Sequence, residues 1–155
     1  MVTPPPAAGH TTTLIVLVPL VAASVRLKLQ VIVPTGALPD DGGHIQPMHV
    51  ALINVDLLKA LGGKAAPPTF TAESVKTKAD ILKAMADSYD YGTALLNEES
   101  ESTIGQPVKD SPAWLGPATR ARIFWTLLAH TMDIYGQMAV YLRLNGIVPP
   151  ASRGV

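Results

Sequence analysis

The residues with the clearest capacity for chemistry are two histidines, His49 and His130, each set in a helical pattern beside an apolar stripe. The chain has no cysteine, so it offers no thiolate nucleophile and no thiolate ligand. Any metal site must therefore be built from histidine, carboxylate or carbonyl oxygen. No serine stands in a GxSxG context, which leaves imidazole chemistry: metal ligation or proton transfer. Side chains projecting inward from facing helices are the usual source of a metal site in a helical bundle. The plainer reading is that His130 is a core histidine hydrogen-bonded to a neighbour such as Asp133 or Tyr135, and that His49 is a partly solvated residue near a helix start. His10 and His44 lie in proline- and glycine-rich sequence with no helical context.

Three segments must position these residues. The longest runs from about 118 to 145. Ile123, Leu127, Ile134, Met138 and Tyr141 recur there in steps of three and four or their sums, with His130 in the same stripe. Gly116-Pro117 and Thr119 mark its start, and Arg143, Asn145-Gly146 and Pro149-Pro150 mark its end. A second helix is expected over 47–61, opening at Pro47, with Met48, Ala51, Leu52, Val55, Leu58 and Leu61 on one face and Gly62-Gly63 as its stop. His49 sits at the edge of that stripe, sharing a face with Ile53 and Asp56. The third, over 77–97, is introduced by Thr77 and Asp80 in a capping-box arrangement and buries Ile81, Leu82, Met85, Tyr89 and Leu96. Between it and the last helix, 97–116 reads as a long polar surface loop whose Trp114 and Leu115 tuck back onto the helices.

Residues 1–46 differ from the rest. Only Arg26, Lys28, Asp40 and Asp41 carry charge before His49. Val25 to Val31 alternates apolar and polar residues, a strand pattern, and residues 13–33 as a whole suggest one or two strands. The apolar run Leu14 to Ala23 has about half the length needed to span a bilayer. It resembles the core of a signal peptide with a small-residue exit at Val21-Ala22-Ala23, but no lysine or arginine precedes it. The domain division expected is therefore 1–46, an atypical N-terminal segment, and 47–152, a helical unit.

Composition limits the partners. The chain has 155 residues, and lysine plus arginine equals aspartate plus glutamate at 12 each. A zero formal charge gives no electrostatic case for nucleic acid or for an acidic membrane surface. The length suits one domain with a core of its own.

The run His130-Thr-Met-Asp-Ile-Tyr-Gly-Gln137, followed by Tyr141-Leu-Arg-Leu-Asn-Gly-Ile-Val-Pro-Pro150, resembles the C-terminal signature of the DinB/YfiT-like family of metal-dependent enzymes. Met48 to Asp56 is similar to the second helix of that family, and Thr77 to Leu96 to its third. The resemblance covers about residues 47–152. It implies an all-α, DinB-like antiparallel four-helix bundle with its first helix atypical or missing here. It also implies a stress-response protein that binds one divalent metal, nickel or zinc, through three histidines.

Carried over by position, His49 matches the second-helix ligand and His130 the first of an H-x-x-x-H pair on the last helix. The second of that pair falls on Ile134, which has no donor atom, so the implied site is incomplete. Asp133 is set about 100° around the helix from Ile134 and is a poor substitute for that position. The implied function is a thiol-dependent transferase or hydrolase-like enzyme acting on a small molecule, with a low-molecular-weight thiol as partner, as a homodimer in the cytoplasm. The alternatives are a non-catalytic binding or dimerisation module with a degenerate site, and export through an N-terminal signal peptide.

Overall fold

The structure is a computed structural model that describes residues 12–19, 26–33 and 45–152. Its elements, in chain order, are strands β1 (Thr12–Pro19) and β2 (Arg26–Val33), helices α1 (Ile45–Lys59), α2 (Lys78–Asn97) and α3 (Arg120–Leu144), and a short 3₁₀ turn over Pro150–Ser152. The strands pair antiparallel, Thr12 opposite Val33 and Pro19 opposite Arg26. The expected strand pattern at 13–33 corresponds to this hairpin, and β1 takes up most of the apolar run that begins at Leu14. From Ile45 onward the architecture is helical. Among the described residues there are three α-helices, and no helix is long and apolar enough to cross a membrane.

Local chemistry sets the helix ends. Thr77 accepts a hydrogen bond from the Asp80 amide, and the Asp80 carboxylate accepts one from the Thr77 amide at 2.9 Å, the reciprocal box expected from those residues. Thr119 caps α3 through the Arg122 amide. At the other end of α3, Gly146 adopts φ of 71°, and the amides of Gly146 and Ile147 return to the carbonyls of Arg143 and Leu142. Those are the two bonds of a Schellman stop, and only a residue without Cβ enters that conformation cheaply. Helix α1 begins at Ile45, so Pro47 lies within its first turn and not at its first position. The missing amide hydrogen costs nothing there, because first-turn amides have no intrahelical partner.

Contacts between helices give their directions. Asn54 meets Ser88 and Leu58 lies against Gly92, so sequence numbers rise together along α1 and α2 and the two run parallel. Tyr89 meets Thr131 and Glu99 meets Arg120, so α3 is antiparallel to both. Antiparallel packing, as in the expected bundle, thus holds between α3 and each of its partners, while α1 and α2 run in the same sense. The physical reason is the connector over 60–77, which at ~3.3 Å per residue can span about 60 Å, against ~22 Å for α1. It is long enough to return the chain to the starting end, and its Phe70 and Val75 pack on the core as it passes.

Helix α1 is the central element. Besides its expected stripe it buries Val50, Asn54 and Leu57, on other faces of the helix. A helix enclosed on most sides reads as apolar nearly all round. The core divides into two clusters. One gathers Leu57, Leu58, Leu61, Tyr91, Leu95 and Ile123, and the other Met48, Val50, Ala51, Ala84, Met85 and Ile134. Burial on α3 departs from the expected stripe at its C-terminal end, where Leu142 is buried and Tyr141 is 56% exposed. In the 97–119 segment, Leu115 packs against the core as expected, but Trp114 is 64% exposed. The segment is pinned by an ion pair. Arg120 donates to Glu99 Oε1 (Nε at 2.7 Å) and to the Leu61 carbonyl at 2.8 Å, while Thr103 donates to Glu99 Oε2.

Candidate metal-binding site

The two predicted site residues come together. His49 stands on the first turns of α1 and His130 near the middle of α3, and their rings meet edge to face with centroids 5.1 Å apart. The antiparallel packing of α1 on α3 makes this contact, since Leu57 and Ile123 share one core cluster while Met48 and Ile134 share the other. His49 is exposed and His130 half-buried. Burial pushes the His130 imidazole below the ordinary histidine value, the neighbouring His49 adds to this, and Asp133 partly offsets it. The neutral ring is the form that ligates metal.

Nε2 of His130 is buried and has no hydrogen-bond partner. A buried polar atom without a partner costs about 1–3 kcal/mol, and such atoms call for an explanation. The plain reading of His130 as a satisfied core histidine does not describe this ring: Asp133 is instead bonded to Gln137 Nε2 at 3.0 Å. An imidazole nitrogen left open beside a second imidazole suits a divalent ion of the zinc, nickel or iron type.

Ile134 faces elsewhere. It is 5% exposed and lies in the core with Met48, Ala51 and Met85. From His130 to Ile134 the helix turns 400°, about 40° past a full turn, and that rotation carries Ile134 under α1 while His130 stays at the rim. A three-histidine site of the expected kind does not fit this chain, because Ile134 offers no donor and lies in the core; what the fold brings together is the pair His49 and His130. Among the described residues, no group of three histidine, cysteine, aspartate or glutamate side chains converges. His10 and His44 lie outside the described residues.

Beside His130 a groove of about 400 Å³ opens between α1 and α3. Ile53 and Leu57, on the same face of α1 as His49, line one wall; Thr126 and Asp133 of α3 line the other, and the exposed Trp114 stands at its edge. The groove is almost wholly apolar apart from His130 and Asp133, and its volume falls in the range of small-molecule sites.

A second polar group, invisible to apolar periodicity, crosses the core behind the site. Asn54 Nδ2 donates to Ser88 Oγ at 3.2 Å, and Ser88 donates to the Met85 carbonyl. Thr131 donates to the Leu127 carbonyl, so the Tyr89 phenol is the donor in its 3.2 Å contact with Thr131. Burial raises the Tyr89 phenol above its ordinary value despite its hydrogen bonding with Thr131 and Asn54. It stays protonated at neutral pH and serves as a donor, not as a base. The oxygen Oδ1 of Asn54 is buried without a partner.

No family model matches the chain, and no curated protein or solved structure matches it.

Proposed function

We propose that this chain is a DinB-like helical protein, a divalent-metal-dependent enzyme acting on a small molecule or a low-molecular-weight thiol, with His49 and His130 as its protein ligands. The observation that carries the reading is the meeting of those two imidazoles, 5.1 Å between centroids, with His130 also lining an apolar groove. A bound divalent ion supplies Lewis acidity, lowering the pKa of a coordinated water or thiol. The chain's own groups do the rest. His130, held neutral by burial, presents an open ring nitrogen, and Ile53, Leu57 and Trp114 offer apolar walls that exclude water from a ligand's body. The four-helix arrangement of the resemblance requires one more helix than the three present among the described residues, and the β1–β2 hairpin occupies that part of the sequence. The test is the metal content of protein purified without chelator, by elemental analysis. About one equivalent of zinc or nickel, lost in His49→Ala and in His130→Ala, supports the reading; less than about a tenth of an equivalent, unchanged in the variants, rejects it.

A second reading, a non-catalytic binding or dimerisation module, is favoured by the outer face of α3. Trp125, Met132, Val140 and Leu144 are all more than half exposed, and Ala129 and Gly136 lie between them at helical spacing. Exposed large apolar residues recurring along one side of a helix are a feature of interaction surfaces. Sedimentation velocity on the wild type and on Met132→Glu distinguishes the readings: a dimer dissociated by the substitution supports the module, and a monomer in both leaves the stripe without that role.

A further inference from the structure

Resting on the His49–His130 reading, we propose that Asp133 is the third protein donor, so that the site is two imidazoles and one carboxylate and not a degenerate histidine triad. Asp133 follows His130 by three residues on α3, and positions three apart share a helix face. Both residues line the same groove, whereas Ile134 points into the core between Met48 and Met85. The 100° between Asp133 and Ile134 does not set Asp133 apart from the imidazoles, because they are not where Ile134 points. As the side chains stand, the carboxylate lies along the helix toward Gln137 Nε2 at 3.0 Å, and no three ligating groups converge among the described residues. Asp133 is exposed, so turning toward His130 meets solvent and not packed atoms. Turning exchanges the bond to Gln137 Nε2 for the ion, and Gln137 keeps its contact with Gln46 of α1 at 3.5 Å. Two imidazoles and a carboxylate with open positions suit a borderline divalent ion such as zinc, cobalt or iron(II). The groove then lies beside the open positions, where an apolar small molecule bearing one donor atom fits.

The experiment is isothermal titration of the full chain with zinc(II) and with cobalt(II), at low salt and at ~0.5 M NaCl. The proteins compared are the wild type, Asp133→Asn, Asp133→Ala and the His49→Ala/His130→Ala double variant, with far-UV circular dichroism on each as the check on folding. Asp133 as donor predicts a loss of about tenfold or more in affinity in both Asp133 variants, persisting at high salt. It also predicts a changed cobalt(II) visible spectrum. A loss seen only at low salt with an unchanged spectrum is the signature of a nearby charge, which salt screens, and overturns the proposal. Wild-type affinity in the Asp133 variants, with binding abolished in the double histidine variant, overturns Asp133 and leaves the two-histidine reading standing. Equal affinity in every protein, or none in any, overturns both.

Discussion

His130 and Ile134 stand one helical turn apart on α3, yet the first meets His49 at the rim and the second is sealed in the core against Met48 and Met85. A histidine placed at 134 would therefore enter apolar packing and not the His49–His130 pair. Ile134→His is expected to lower stability by about 1–3 kcal/mol or more, the cost of burying a polar ring without a partner in apolar packing. It is not expected to raise metal affinity. Chemical denaturation and metal titration of the same sample check both halves.

The Glu99–Arg120 pair holds the 97–119 segment against the end of α1. The Glu99 side chain is only 1% exposed and that of Arg120 21%. Burial alone would raise the Glu99 carboxyl, but the hydrogen bonds from Arg120 and Thr103 and the Arg120 charge outweigh it and hold the carboxyl below its ordinary value of 4.5. A carboxyl depressed in the fold contributes stability that is fully present above the unfolded value and is lost as pH falls through the folded one. Wild-type stability is thus expected to drop below about pH 4.5, and the drop to be smaller in Glu99→Gln. At pH 7 Glu99→Gln should cost about 3 kcal/mol, the low end for breaking a buried pair, because Arg120 keeps some solvent. Urea midpoints from pH 3 to 7 give both numbers.

Ser88 and Asn54 form the polar link between α1 and α2. Ser88→Ala leaves the Asn54 amide without its acceptor and is expected to cost about 1–3 kcal/mol. Replacing both, Asn54→Leu with Ser88→Ala, also removes the partnerless Oδ1 and should be close to neutral or stabilising. A double-mutant cycle by thermal denaturation separates the two effects.

Gly63 follows α1 and lies against the side chains of Leu95 and Glu98 at the C-terminal end of α2. A Cβ at that position would collide with the Leu95 side chain and press on Glu98. That carboxylate accepts hydrogen bonds from the Lys64 and Ala65 amides at 2.9 and 3.1 Å. Gly63→Ala is expected to cost about 1–3 kcal/mol through displacement of Leu95. Gly105→Ala, where a Cβ meets nothing, serves as the control and should stay within about 0.5 kcal/mol.

Much of this arrangement is legible in the residues themselves, where the physics is local. The Thr77–Asp80 box, the glycine stop at 146 and the inward stripe of α1 follow from spacings of three and four. Longer-range features are not. The parallel course of α2 depends on a long connector, and periodicity carries no direction. The stripe placed His130 with Ile134 because steps of four are nearly a full turn. The residual 40° is what separates His130 at the rim from Ile134 in the core. At the end of α3 the same drift put Tyr141 on the inner face, where the structure has Leu142. The buried Asn54, Ser88 and Thr131 escape a reading that counts apolar residues, although a polar residue set within an apolar face is the signal that would find them. The pairing of His49 with His130 came from the resemblance, and each lies on a helix whose packing partner the sequence does not name.

Under the proposed function, His49 and His130 bind one ion together. Long-range proton–nitrogen correlation spectra of uniformly nitrogen-15-labelled protein resolve the ring nitrogens of His10, His44, His49 and His130, each assigned by its alanine variant. On titration with zinc(II), the account predicts that one ring nitrogen each of His49 and His130 moves by the large shift of metal ligation, in parallel, and that both saturate at one equivalent. Shifts at His10 or His44 alone, or at His49 and His130 with different stoichiometries, would contradict it.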